Sequence, residues 1–231
     1  MDAVALYRAG ELKPAIAALG EELKKQPLDA KRQTMLFELL CFAGEYDRAE
    51  KQLDMLADSS KEAAAGILVY KAALHAERTR QEMFARGEFP LDTARPSGPG
   101  AVNGTSSASF TDLDPRIGEH LEVFIAGSYT WIPLEFVGSL SIAAPAKLRD
   151  LIWAPAVLEV TPAFRLQDLG EVLLPALAPL SWRHGEDSVR LGRTTVWEDD
   201  DRFGSIPFGQ KIFAADDAEL GLLEVRSLTF E

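Results

Sequence analysis

The apolar residues of the first 89 positions recur at the spacing of amphipathic helices. Between residues 30 and 43 they occupy one face of a helix, at Met35, Leu36, Leu39, Leu40 and Ala43. Residues 60–86 carry a longer apolar pattern that ends just before Gly87. Together with the segments before residue 30, the pattern predicts about five helices in this part of the chain.

A short motif repeats within the helical part. Ala9-Gly10-Glu11-Leu12 returns 34 residues later as Ala43-Gly44-Glu45-Tyr46, and this period is that of the tetratricopeptide (TPR) helical hairpin. Glycine is suited to the left-handed backbone that ends a helix. A third turn of this kind, Arg86-Gly87-Glu88-Phe89, breaks the period. The sequence therefore predicts two TPR-like antiparallel hairpins and a further helix, with a helical bundle of chance similarity as the alternative.

The first helix of each hairpin would line a concave surface, which is where TPR-like arrays bind peptides or helices. By register with the repeat, the predicted groove is lined by Val4, Tyr7, Arg8, Thr34, Glu38 and Phe42. Cys41 lies on the same predicted face. The alternative is that Tyr7, Cys41 and Phe42 are core residues, since a lone buried Cys commonly behaves as a small hydrophobe.

Beyond residue 110 the pattern changes to short apolar runs separated by Gly, Pro and Asp. Residues 121–125 and 129–132 flank Gly127 and predict a hairpin. Further strands are predicted at residues 140–142, 152–160, 188–197, 210–214 and 222–230. Short helical turns are expected after Pro133 and Pro145. The fold class is therefore α+β: helical hairpins followed by a mostly antiparallel β domain, small and barrel-like, with short helices.

Composition separates the two parts of the chain. Residues 90–109 are dense in Pro, Gly, Ser and Thr and are predicted to be a linker. This divides the chain into a helical domain (1–89), a linker (90–109) and a β-rich domain (110–231). The net charge of −12 is uneven, because residues 1–89 carry −2 and residues 90–231 carry −10. A basic partner would therefore dock on the second domain.

Composition also narrows the function. One Cys and three His leave little for a metal centre, and neither a metal nor another cofactor is expected. An acidic chain with a pI of about 4.8 is a poor candidate for nucleic-acid binding. No apolar run approaches the length of a membrane span, and no signal peptide is evident. We therefore expect a cytoplasmic protein that binds neither nucleic acid nor membrane.

The sequence lacks the common catalytic motifs: the phosphate-binding and dinucleotide-binding glycine loops, the zinc-binding His-Glu-x-x-His and the Gly-x-Ser-x-Gly elbow. Asp112 and Asp114 form an acidic pair of the kind that binds divalent cations. A metal-dependent hydrolase is therefore an alternative function, and a solvated loop is the competing interpretation. The acidic run at residues 198–201 is predicted to be an exposed turn between strands.

Charged and aromatic residues around position 150 give a second candidate surface. Arg149 and Asp150 lie four and three residues before Trp153, which predicts a salt bridge that fixes a turn above the indole. Together with Trp131, the same residues are alternatively a partner-facing patch, because Trp and Arg are enriched among interface hot spots.

A series of motifs in the second part resembles one known family. The motifs are FTDLDPRIG at residues 110–118, LEV at 121–123, GSYTWIP at 127–133, APAKLRDLIWAPA at 144–156, LLP at 173–175, RTTVW at 193–197 and LLEVR at 222–226. In this order they are similar to the ImpE/TagJ family, accessory proteins of the bacterial type VI secretion system. The resemblance covers nearly the whole chain outside residues 90–109, where family members carry additional helical sequence.

The resemblance implies an adaptor that is not an enzyme. Family members are associated with the contractile sheath through the N-terminal helix of its small subunit, and they are linked to ClpV, the ATPase that recycles the sheath. We therefore expect the TPR-like groove to hold an amphipathic helix of the small sheath subunit. A general TPR adaptor unrelated to secretion is a further alternative.

Overall fold

The computed structural model describes residues 2–59, 61–90, 95, 97–165 and 169–230, and in that part of the chain five helices precede the first strand. They are α1 (Ala3–Arg8), α2 (Leu12–Lys25), α3 (Ala30–Phe42), α4 (Tyr46–Ser59) and α5 (Lys61–Ala85). Each helix packs on the next one along the chain. Among the described residues, no helix combines the length and apolar character needed to cross a bilayer.

Three of these helices end in the same glycine-centred turn. Gly10, Gly44 and Gly87 have φ angles of +86°, +71° and +75°. In each turn the N–H of the glutamate after the glycine donates to the carbonyl five residues back. The N–O distance is 3.0 Å from Glu11 to Leu6, 2.9 Å from Glu45 to Leu40 and 2.9 Å from Glu88 to Met83. This is the Schellman arrangement, which satisfies carbonyls that the helix end leaves unpaired. The repeated motif is thus a helix stop, while the TPR classification stays a prediction.

Thirteen strands are described after the helices. They are β1 (Gly100–Val102), β2 (Thr105–Ser107), β3 (Phe110–Asp112), β4 (His120–Ile125), β5 (Ser128–Pro133), β6 (Val137–Ile142), β7 (Trp153–Val160), β8 (Gly170–Pro175), β9 (Val196–Asp200), β10 (Gly204–Phe208), β11 (Ile212–Ala215), β12 (Ala218–Gly221) and β13 (Ser227–Phe230). Short 3₁₀ turns at Leu134–Phe136 and Leu148–Leu151 confirm the helical turns predicted after the two prolines.

The strands form antiparallel sheets. The largest has the order β2-β1-β13-β6-β7-β8-β4-β5, and smaller sheets have the orders β12-β11-β3 and β10-β9. The α+β class with helices first is therefore confirmed. The predicted small barrel is not confirmed, because no sheet among the described residues closes on itself.

Part of the predicted linker forms a hairpin, which corrects the interpretation of residues 90–109. Strands β1 and β2 pair around Asn103 and Gly104, whose φ angles are +52° and +79°, and β1 also pairs with β13. Asn-Gly is a strong signal for a two-residue hairpin turn, but the small polar residues around it obscured the strands. Residues 91–94 and 96 of the predicted linker lie outside the described residues.

The strand predicted at residues 188–197 is wrong over most of its length. A short helix, α6 (Asp187–Arg190), occupies its start, and β9 begins only at Val196. The helix ends at Gly192 in another Schellman turn, with φ of +66° and a bond from the Arg193 N–H to the Ser188 carbonyl. The acidic start and the glycine are helix signals that outweigh the apolar residues between them.

Two hydrophobic cores lie against the large sheet. One contains the buried faces of the helices together with Phe124, Ile152, Trp153 and Leu191 from the β part. The other combines residues of the large sheet with Phe110 and others from the three-stranded sheet. Since the first core includes residues from both parts of the chain, the helices and the large sheet pack directly on each other.

Candidate functional site

The first-hairpin residues of the predicted groove lie at the surface, next to a loop of the β part. Val4 and the side chain of Arg8 are exposed, and Tyr7 is half-buried. The Arg193 guanidinium lies 4.9 Å from the Tyr7 ring centroid. It also donates to the backbone carbonyls of Tyr7 and Arg8, at 2.5 and 2.9 Å. This end of the predicted groove is therefore partly covered by the chain itself.

The second-hairpin residues do not form an open groove, which corrects the sequence prediction. Glu38 is 6% exposed and Phe42 only 1%, and Phe42 belongs to the core, as the alternative interpretation held. Thr34 is half-buried and its hydroxyl donates to the Ala30 carbonyl at 2.8 Å. The physical reason is that the turn at Leu148–Leu151 packs against α3, with Arg149 Nη1 3.7 Å from Glu38 Oε1. Burial raises the pKa of Glu38 to about 7, although Arg149 opposes the shift.

Arg149 and Asp150 bind different partners rather than each other. The Asp150 carboxylate accepts the backbone N–H groups of Ala146 and Lys147, at 2.9 and 2.8 Å, and so fixes the turn. The Arg149 guanidinium lies 4.4 Å from the Tyr70 ring centroid. The predicted salt bridge between the two is therefore replaced by an aspartate cap and a cation–π contact.

The two tryptophans of the second candidate surface are also held inside the fold. Trp153 is buried, and its indole N–H donates to Glu77 Oε2 at 2.9 Å. Trp131 is half-buried, and its indole N–H donates to the Tyr129 hydroxyl at 2.5 Å. With Asp150 also buried, these residues do not combine into an exposed patch.

A buried network of charges joins α5 to the sheets. The Arg80 guanidinium bonds both carboxylate oxygens of Glu122, at 2.7 and 3.0 Å, and it also donates to the Leu177 carbonyl at 2.9 Å. Lys211 Nζ lies 2.5 Å from Glu122 Oε2 and also contacts Asp112. Burial alone would raise the pKa of Glu122, but the Arg80 and Lys211 cations outweigh it and lower that pKa to about 2.

This network also accounts for the acidic pair of the hydrolase alternative. Burial raises the pKa of Asp112 to about 7, with Lys211 opposing the shift. Asp114 is bound by Arg116, at 2.8 Å to Nε and 2.5 Å to Nη2. Among the described residues, no group of three or more His, Cys, Asp or Glu side chains is placed to hold a metal ion. Both carboxylates therefore serve as internal ion-pair partners.

The large apolar concavity lies elsewhere, between α5 and the sheet. It is an open groove of about 1010 Å³, which we call the α5–sheet groove. Leu68, Val69 and Ala72 of α5 form one wall, and Pro155 and Val157 of β7 lie on the sheet side. Leu68, Val69 and Val157 are exposed by 67%, 55% and 48%. Clustered apolar exposure of this kind marks an interaction site more often than scattered exposed residues do.

The repeat register does not predict this groove, but the sequence of strand β7 carries a signal for it. Strand β7 is apolar on both faces: Ala154, Ala156 and Leu158 are buried in the core, while Pro155 and Val157 point the other way. A strand that faces water on one side normally alternates apolar with polar residues. A two-faced apolar strand beside a helix with exposed Leu and Val therefore predicts a covering partner.

Comparison with known proteins gives results for both parts of the chain. The family model of the ImpE protein matches residues 104–229. The type VI secretion system accessory component TagJ of Pseudomonas aeruginosa is 33% identical over 265 aligned positions, which cover 100% of this chain and 92% of TagJ. The crystal structure of protein VPA1032 from Vibrio parahaemolyticus has a TM-score of 0.86 at 22% identity, covering 99% of this chain and 97% of that chain. This structural likeness shows that the helices and sheets occur together in another protein.

Proposed function

Since this chain belongs to the ImpE family, we propose that it is an accessory component of a type VI secretion system, as its Pseudomonas aeruginosa relative TagJ is. Its role in this proposal is to bind another protein in the cytoplasm and not to catalyse a reaction. The match to TagJ over the full length of the chain supports the assignment.

The observation that carries the binding role is the exposed α5–sheet groove. Asp112 and Asp114, the carboxylates of the hydrolase alternative, are instead bound by Lys211 and Arg116. The groove, in contrast, leaves Leu68, Val69 and Val157 exposed to water. Covering such apolar surface is the main favourable term in most protein association.

The proposed partner is the small sheath subunit, bound through its N-terminal amphipathic helix. An amphipathic helix places apolar side chains at i, i+3 or i+4 and i+7, and these fit an apolar groove. Through this contact the protein would take part in sheath assembly or in recycling by ClpV. The family resemblance of the motifs supports this choice of partner over an adaptor without a link to secretion.

Capture of the small sheath subunit tests this proposal. The intact chain, immobilised, should capture the subunit of its own organism, and deleting the subunit's N-terminal helix should reduce the capture at least about tenfold, because that loss corresponds to only about 1.4 kcal/mol of binding free energy. A second deletion of equal length at another exposed site of the subunit is the control. The proposal would be contradicted if the folded chain captured the intact subunit, the helix deletion and the control deletion equally well, or if it captured none of them.

A further inference from the structure

The wall of the α5–sheet groove is the exposed side of a helix. Leu68, Val69 and Ala72 follow one another at i, i+1 and i+4 along α5, so they form an apolar ridge on one side of it. A second helix laid beside such a ridge packs at an axis separation of about 8–10 Å. The ridge on α5 is therefore suited to packing against a second helix.

Strand β7, on the sheet side of the groove, cannot accept an added strand. It is hydrogen-bonded to β6 and β8 on its two sides, whereas β8 pairs with β4 in the described residues only where Leu173 faces Phe124. A chain that lies on the face of β7 must therefore satisfy its own N–H and C=O groups when it is desolvated. An α-helix does this internally, which favours a helix over an extended peptide.

The groove carries negative charge. Glu171 is the ionisable residue that lines it, on β8 directly opposite Val157. Among the described residues, Glu171 forms no ion pair. Glu159 is two positions beyond Val157 on the same face of β7 and is also exposed. Lysine and arginine are absent from the described lining, so a partner with basic residues at its flank complements the site.

We infer that the α5–sheet groove binds an amphipathic α-helix whose apolar ridge packs between Leu68 and Val157 and whose Lys or Arg flank pairs with Glu171. The identification of the small sheath subunit as the source of that helix rests on the proposed function. The site and the chemistry of the helix rest on the groove itself. This places partner binding on α5 and the sheet, and not on the face of α1 and α3 that the repeat predicts.

Three helical peptides test the inference on the intact chain. Two are designed peptides of about 18 residues, roughly five turns, that share a leucine ridge and differ only in carrying Lys or Glu flanks. The third is the N-terminal helix of the small sheath subunit. Titration calorimetry should show that the Lys-flanked peptide binds more tightly than the Glu-flanked one, by about threefold to fivefold for one partly exposed pair.

Substitutions in the groove supply the decisive comparison. Leu68→Gln combined with Val157→Thr should weaken the Lys-flanked peptide about tenfold or more, because it removes apolar contacts while keeping helix and strand propensities. Leu28→Gln changes an exposed leucine outside the groove and should have no effect. Glu171→Lys should reverse the preference between the two designed peptides, whereas Asp217→Lys, at an exposed turn, should not.

The outcomes separate this inference from the proposed function. If the sheath peptide binds but the groove substitutions leave its affinity unchanged, the site is wrong while the partner stands. If the designed Lys-flanked peptide behaves as expected and the sheath peptide does not bind, the proposed function is wrong and the groove chemistry stands. The chain could also associate with itself. If Leu68→Gln combined with Val157→Thr abolishes that self-association, a second copy of the chain occupies the groove and the inference is overturned.

Discussion

Replacing Arg80 with methionine should lower the free energy of unfolding by about 3–5 kcal/mol, because it removes a buried cation from Glu77 and Glu122. Arg80 is 1% exposed and forms two bonds to Glu122 and one to Glu77. After the substitution, Lys211 alone would balance Glu122 and Asp112. Urea unfolding followed by circular dichroism measures the loss.

Arg78 provides the matched control on the same helix. Its guanidinium lies 3.1 Å from Asp47 and 2.8 Å from Glu50, but its side chain is 28% exposed and its partners are more so. Arg78→Met should therefore cost no more than about 1 kcal/mol, as exposed ion pairs do. Similar losses for the two variants would show that the buried network does not hold α5 to the sheets.

Gly44→Ala should destabilise the protein far more than the same change at the equivalent repeat position, Gly10. Both glycines have positive φ, which costs an alanine about 1–2 kcal/mol. At Gly44 an added Cβ would also lie 2.4 Å from Cδ2 of Trp182, whereas at Gly10 the nearest atom is 3.5 Å away on Arg193. We expect a loss of about 3 kcal/mol or more at Gly44 and about 1–2 kcal/mol at Gly10.

The contribution of Trp182 to this difference can be measured separately. In a Trp182→Ala background the clash is gone, so Gly44→Ala should cost no more than Gly10→Ala does. Thermal unfolding of the four combinations gives the coupling between the two positions. An unchanged cost in that background would mean that the loss arises from the turn alone and that the close approach of the β part is not its cause.

Local features of the fold were predictable from the sequence because short-range physics decides them. The glycine turns at Gly10, Gly44 and Gly87 follow from the left-handed conformation that glycine permits. The β4–β5 hairpin follows from the apolar runs around Gly127. In both cases the residues that determine the structure are neighbours in sequence.

The placement of the predicted groove required information that the repeat does not contain. Register with a TPR hairpin identifies which face of α3 points inward but not what covers it. Here the cover is the turn at Leu148–Leu151 and Trp153, more than 100 residues away in sequence. Glu38 and Phe42 were predicted to line an open groove, but they are buried, with Glu38 beside Arg149 and Phe42 in the core that the helices share with the β part.

The charged residues show the same limit. Asp112 and Asp114 were interpreted as a cation-binding pair or a solvated loop, but both are buried, and the cation that binds Asp112 is Lys211, 99 positions later. Likewise, Arg80 and Glu122 are 42 positions apart. Sequence patterns identify unusual charges, while only the tertiary structure shows whether an internal partner or an external one balances them.

The central claim is that the partner helix binds in the α5–sheet groove, and photo-crosslinking tests this most directly. A photoreactive benzophenone residue is placed at Leu68, in the groove, or at Val4, on the α1 face that the repeat predicts, with exposed Leu28 as the background control. After irradiation in the presence of the N-terminal helix of the small sheath subunit, we expect an adduct from position 68 and only background from positions 4 and 28. An adduct from position 4, with none from position 68, would contradict the account.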